Sequence, residues 1–158
     1  MSADANKQTV ERFYAAFDKH DGDTMAACYA PGAHFSDPVF PGLRAEEPGA
    51  MWRMLTGRSD DLHVELLEHD ADETTGSAHW LATYTFTQTG RPVKNDVHAS
   101  FRFAADGLIA DHRDAFSFHR WSRQALGAPG LLLGWTPLLR RATQKKARAS
   151  LDQYLATK

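Results

Sequence analysis

Apolar residues recur along this chain at two spacings, and the change comes near residue 61. Val10, Phe13, Tyr14 and Phe17 fall at i, i+3, i+4 and i+7, which predicts an amphipathic helix over residues 4–20, ended by His20-Asp21-Gly22. Asp23 or Thr24 then caps a second helix, DTMAACYA, closed by Pro31-Gly32. AHFSDPVF, residues 33–40, reads as a short strand stopped by a proline. EEPGAMWRMLTG reads as a third helix, with acids in its first turn and Gly57 as its C-cap. From residue 61 the period is 2. Leu62, Val64 and Leu66 alternate with His63 and Glu65; Trp80, Ala82, Tyr84 and Phe86 alternate with Leu81, Thr83 and Thr85. Val97, Ala99, Phe101 and Phe103 alternate with His98, Ser100 and Arg102. Asp106-Gly107 marks a hairpin into a last strand, LIADHRDAFSF, with Ala110, His112, Asp114 and Phe116 on one face. Helices first and long adjacent antiparallel strands afterwards predict an α+β fold.

The chain then turns helical again. HRWSRQALG ends at Gly127, APGLLLGW reads as an apolar connector, and Thr136-Pro137 supplies an N-cap with proline at the first helical position. Leu131, Leu132, Leu133 and Trp135 are too few to span a bilayer, so they are expected to cover part of the domain or a subunit contact.

Composition narrows the function classes more than it names one. A length of 158 residues with 42% apolar and 24% charged residues fits one soluble globular domain. Cys28 is the only cysteine, which excludes a disulfide framework and a cysteine-based zinc site. The N-terminus has no apolar signal region and no segment reaches membrane-span length, so the expected location is cytoplasmic, with no membrane span. The eight histidines are scattered without His-Glu-x-x-His spacing, and no glycine-rich phosphate loop is present; neither a metal nor a cofactor is expected. The net charge of −2 is uneven: residues 136–158 carry +5 and the rest −7. A basic helix docking on its own acidic domain accounts for that without a nucleic-acid partner.

Asp37 is the puzzle of the first half. A charge taken out of water is costly unless it is paired or neutralised, so Asp37 either points to solvent or is held in a pocket for use. An Asp before Pro38 is also a common turn initiator. Both readings stand at this level.

VERFYAAFDKHDGDTMAACYAPGAHFSDPV, followed by GSAHWLATYTFTQTGRPVKNDVHASFRFAADGLIADHRDAF, resembles the nuclear-transport-factor-2-like superfamily, which includes ketosteroid isomerase and the SnoaL-type polyketide cyclases. The match runs from residue 8 to about 118. The resemblance implies a cone-shaped domain over residues 1–118, with a C-terminal helical extension over 119–158 packed on the same domain or on a dimer partner. N-terminal helices would close one end of a strongly curved, mostly antiparallel sheet around a deep pocket, commonly in a homodimer. It also implies that Asp37 stands where ketosteroid isomerase keeps its catalytic base. That enzyme's oxyanion donors do not carry over, because Phe13 takes the helix tyrosine position and Ala99 replaces the partner aspartate. Tyr14 lies one residue on, about 100° around the helix. Loss of one such donor costs roughly 10²–10³ in rate, so steroid isomerisation is not expected.

ADHRDAF resembles the last-strand motif of SnoaL-like cyclases, which implies Asp114 as a base, with His112 on the same face; His98 has the wrong parity to replace the cyclase histidine. An Asp-Arg-Asp set of the limonene-epoxide-hydrolase kind is only superficially matched, because Arg113 has the opposite parity from Asp114. The pocket expected from these faces is walled by Phe13 or Tyr14, Phe17, Trp52, Trp80, Tyr84, Phe101 and Phe116, with Asp37, His112 and Asp114 as polar groups. Apolar walls with few convergent polar groups suit a small apolar molecule. The expected function is cofactor-free acid–base catalysis of isomerase, cyclase or dehydratase type. The alternative is a non-catalytic ligand-binding or dimerisation module.

Overall fold

The computed structural model describes residues 2–157. Ser2 caps the first helix, α1 (Ala3–Asp18), its hydroxyl accepting from Ala5 N–H at 3.1 Å. Val10, Phe13, Tyr14 and Phe17 all face inward from it, as their spacing predicts. The cap of α2 (Gly22–Ala27) is Asp21 rather than Asp23 or Thr24, because the Asp21 carboxylate takes the Thr24 N–H at 3.1 Å. That helix is short. Tyr29 and Ala30, expected as its last turn, belong instead to β1 (Tyr29–Ser36), and Pro31-Gly32 lies inside the strand. Gly32 has φ +74, a conformation open to glycine, at the irregularity between Tyr29 and His34. Asp37 therefore sits just beyond its strand, not within it.

A two-residue β2 (Leu43–Arg44) leads into α3 (Glu47–Arg58), which runs through Gly57 and ends at Ser59. Gly57 is exposed in the last turn and is not the cap. Four long strands follow: β3 (His63–Ala71), β4 (Thr75–Phe86), β5 (Arg91–Phe103) and β6 (Ile109–Ala115). The six strands form one sheet in the order β2-β1-β6-β5-β4-β3. Only β1 and β6 run parallel; every other neighbouring pair is antiparallel. Register shifts at Leu66/Glu68 and Arg102/Phe103 put bulges into the long strands, and bulges bend and twist a sheet.

One core lies between α1, α3 and the inner sheet face, built on Phe13, Phe35, Met51, Val97, Phe101 and Ile109. A smaller cluster joins Val93 of β5 to Phe118, Trp121 and Ala125 of α4 (Phe118–Leu126). Val39, Tyr84 and Phe116 pack against both clusters and join them. The apolar connector contains a one-and-a-half-turn helix, α5 (Ala128–Leu133). Leu131, Leu132, Leu133 and Trp135 remain 46–72% exposed.

Thr136 caps α6 (Pro137–Ala156) as the Thr-Pro signal predicts. This helix lies back on the domain. Leu151 is fully buried, Gln144 Nε2–H donates to the Pro38 carbonyl at 3.0 Å, and Arg148 pairs with Glu47 of α3. At Arg148 the basic helix thus meets its acidic domain. No helix among the described residues is long and apolar enough to cross a membrane.

Candidate functional site

Strand parity brings the chemistry inside. On β6, alternation turns His112 and Asp114 toward the helices and Arg113 outward. His112 is completely buried and the Asp114 side chain is 2% exposed. The two are bonded to each other, His112 Nε2 lying 2.9 Å from Asp114 Oδ1. The opposite ring nitrogen, Nδ1, lies 2.7 Å from the Tyr29 hydroxyl on β1, and Trp52 Nε1–H of α3 donates to that hydroxyl at 2.8 Å. Four residues from three elements thus form one polar line through the core.

Hydrogen-bond accounting constrains the protons in this line. An indole N–H can only donate, so the Tyr29 oxygen accepts from Trp52. With neutral imidazole, Tyr29 O–H donates to Nδ1 and Nε2–H donates to Asp114, which satisfies every group. Aromatic rings enclose the imidazole. Phe101, Phe35 and Phe13 lie with centroids 4.4, 4.9 and 5.6 Å from it. Burial raises the Tyr29 phenol well above its ordinary pKa, so it stays a neutral hydrogen-bonding group.

Asp37 stands at the end of β1 in the loop that α6 covers. Its Oδ1 accepts from Val39 and Phe40 N–H at 2.7 and 2.6 Å, and its own N–H donates to the Phe40 carbonyl at 3.2 Å. The turn reading of Asp-Pro is therefore realised. The carboxyl is nevertheless pushed up to about 7, first by burial and further by the Asp114 charge; the Phe40 and Val39 N–H bonds and His112 oppose the rise. Asp37, Asp114 and His112 thus share one electrostatic neighbourhood.

Two further polar atoms in this interior lack partners. Tyr14 Oη and Trp80 Nε1 are buried with no hydrogen bond among the described residues, and their rings lie 5.7 Å apart. The Tyr14 phenol is raised well above its ordinary value by burial and then by the Asp114 charge, which makes it a neutral donor near that carboxylate. Unpaired buried donors are uncommon in folded proteins and ask for a partner.

The aromatic residues expected as pocket walls fall as follows. Phe13, Tyr14, Phe17, Trp52, Trp80 and Phe101 are buried against one another, while Tyr84 and Phe116 are half-buried at the junction with the C-terminal helices. Tyr84 accepts a hydrogen bond from Trp121 Nε1–H at 2.9 Å, and burial pushes its phenol to about 12. The surface carries concavities on two sides of the domain. One of about 310 Å³ lies outside the Asp37 turn, between Val39, Phe40, Leu43 and the α6 residues Arg141, Gln144 and Arg148. The other, of about 800 Å³, lies at the β3–β5 side, beside His79 and His98. Tyr29 is the residue that sequence reasoning missed. Assigned to a helix end, it carried no signal of facing His112; only the parallel pairing of β1 with β6 brings it there.

Comparison with known proteins bears on the fold. No curated protein matches the chain in sequence. Among solved structures, the chain is similar to an LEH-like epoxide hydrolase of M. tuberculosis, at 21% identity and TM-score 0.66, covering 82% of this chain and 94% of that one. It is similar to TsrD from Streptomyces laurentii, at 21% identity and TM-score 0.66 over 78% of this chain and 96% of the other. A SnoaL-like protein from Burkholderia thailandensis E264 shares 22% identity and TM-score 0.60 over 73% and 98%. At these identities the likeness is one of fold. The model of the SnoaL-like domain matches residues 10–112, well over half the chain and reaching to His112 itself. The helices, the mixed sheet and this match together assign the chain to the SnoaL-like domain family.

Proposed function

We propose that the protein is a cofactor-free acid–base enzyme of isomerase, cyclase or dehydratase type, acting on a small, largely apolar substrate bearing a carbonyl or hydroxyl. The observation that carries this reading is the buried Tyr29–His112–Asp114 line, with Asp37 as a second carboxyl in the same neighbourhood. Two carboxyls in different environments can divide the work of base and acid. Asp37 titrates near the operating pH of a cell, which is where general acid–base catalysis is most effective. In the proposed step, a carboxylate takes a proton from carbon next to the substrate carbonyl. Tyr14 O–H and Trp80 N–H donate to the oxygen that gains charge. The proton then returns to another carbon in an isomerisation, or to a departing hydroxyl, which leaves as water. His112 orients Asp114, with Tyr29 fixing the ring. Residues 1–118 form the reacting domain and 119–158 its cover, which must move from the Asp37 turn to admit substrate. The homodimer belongs to this reading too, and sedimentation velocity decides it.

Arg113 argues against epoxide opening by an Asp-Arg-Asp set, since its side chain is 73% exposed and faces Asp111 across 4.0 Å. A second reading, a non-catalytic hydrophobic-ligand or dimerisation module, is favoured by the close packing of rings around His112. A substrate panel of enones, β-hydroxy ketones, linear polyketide mimics and epoxides separates the two. Wild type is expected to turn over a carbonyl-bearing member, and Asp37→Asn and Asp114→Asn to lose about 10²-fold or more while staying folded. Undiminished turnover in both variants removes the carboxyls from the chemistry. No turnover of any member leaves the binding module.

A further inference from the structure

The outer face of the sheet carries a second constellation, which the acid–base reading does not use. His79 on β4 pairs in register with His98 on β5, and both side chains point away from the helices. Asp96, two residues before His98, lies on that same outer face. Its Oδ1 is 2.6 Å from His79 Nε2 and 3.9 Å from His98 Nε2. The two imidazoles lie 4.2 Å apart at 10°. All three ligand atoms fall within 4.8 Å of one another.

We propose that His79, Asp96 and His98 form a binding site for a divalent transition metal of the zinc class, accessible from solvent and separate from the buried His112–Asp114 pair. Two imidazoles and one carboxylate are borderline ligands suited to zinc. Zinc bonds of about 2.0–2.2 Å in a tetrahedron separate ligand atoms by roughly 3.3–3.5 Å. Seating the ion therefore requires the 2.6 Å contact to open by under about 1 Å, the 3.9 Å contact to close by about half an ångström, and the two imidazole nitrogens, within 4.8 Å of each other, to close by up to about 1.5 Å. The rings must also splay from parallel so that both nitrogens aim at one point. His98 has the freedom to do so, its side chain being 69% exposed, while His79, at 27%, is the more fixed of the two. Strand pairing sets the backbone positions of all three ligands, so little chain order is lost on binding. Three protein ligands leave a fourth position, which opens beside the 800 Å³ groove lined by Glu68, Ser77 and Lys7. Glu68 pairs in register with His79. This pattern escapes a motif search because its ligands come from two strands, as Asp-x-His on one and a single histidine across from it.

Titrating untagged protein with zinc chloride by calorimetry tests the site. Wild type is expected to bind one ion per chain, and His98→Ala and Asp96→Ala each to weaken binding at least tenfold. His63→Ala, which removes the separate His63–Asp18 pair, is expected to leave affinity unchanged. As a measurement independent of variants, zinc should shift the ring resonances of His79 and His98 in wild type and not those of His63 or His69. Failure of wild type to bind zinc below about 1 mM, or wild-type affinity in both His98→Ala and Asp96→Ala, overturns the proposal; so does a shift confined to other histidines.

Discussion

At the scale of single residues, Asp37 combines a turn-forming carboxyl with a raised proton affinity. Its Oδ1 is committed to the turn, through Val39 and Phe40 N–H, while Oδ2 has no protein partner among the described residues. The cost of this placement is legible in its proton affinity. The carboxyl titrates at about 7 in the fold and near 3.9 in the unfolded chain, so the folded state binds this proton more tightly. Stability from this group is therefore full below about pH 4, declines as pH rises through about 7, and levels off above. Asp37→Asn keeps an acceptor for both N–H groups and removes the charge. Thermal melts are expected to show the variant more stable than wild type by about 4 °C or more at pH 8, and nearly equal at pH 4. A variant less stable at pH 8 would mean that the carboxylate is well solvated. His112 and Asp114 were readable from strand parity alone, since alternate residues of ADHRDAF must share a face. Their partner Tyr29 was not, because a tyrosine three residues before a glycine on an irregular strand has no local signature of the inner face.

Among elements, the long strands were the most legible, since each carried several cycles of period-2 alternation bounded by turn residues. Short elements were misread where local rules compete. Pro31-Gly32 resembles a helix stop, yet it lies inside β1, in the irregular stretch between the Tyr29–Ile109 and His34–Asp111 pairs that tie the strand to β6. The apolar run before residue 136 hid α5, whose six residues hold no full amphipathic cycle. What fixes α5 is a close approach: a Cβ placed on Gly130 would collide with the Ser122 carbonyl in the backbone of α4. Gly130→Ala is therefore expected to cost about 1–3 kcal/mol through a forced backbone shift. Hydrogen exchange checks where that cost falls. Amides of α4 and α5 should lose protection, while β4 and β5 keep theirs; uniform loss across the chain would mean that α4 and α5 unfold only with the sheet.

For the whole molecule, a buried polar line lies in the main core, and the C-terminal helices pack on the domain beside the Asp37 turn. Gln144 holds the Pro38 carbonyl, Trp121 holds Tyr84, Arg148 pairs with Glu47, and Leu151 is buried in the main core, so the C-terminal helices are fastened to the domain at several points. The fold class and the inward faces could be anticipated from the sequence. The filling of the interior by aromatic rings could not, because alternation tells which way a side chain points and not how much room is left. The central claim is that Asp37 and Asp114 act as a coupled pair of carboxyls within this interior. Carbon-13 NMR of aspartate-labelled protein, with Asp37 assigned by its loss in Asp37→Asn, measures that coupling without any substrate. The account predicts an Asp37 midpoint near 7 in wild type and a lower one in Asp114→Asn, where the neighbouring negative charge is gone. A midpoint near 4 that ignores Asp114→Asn would contradict it.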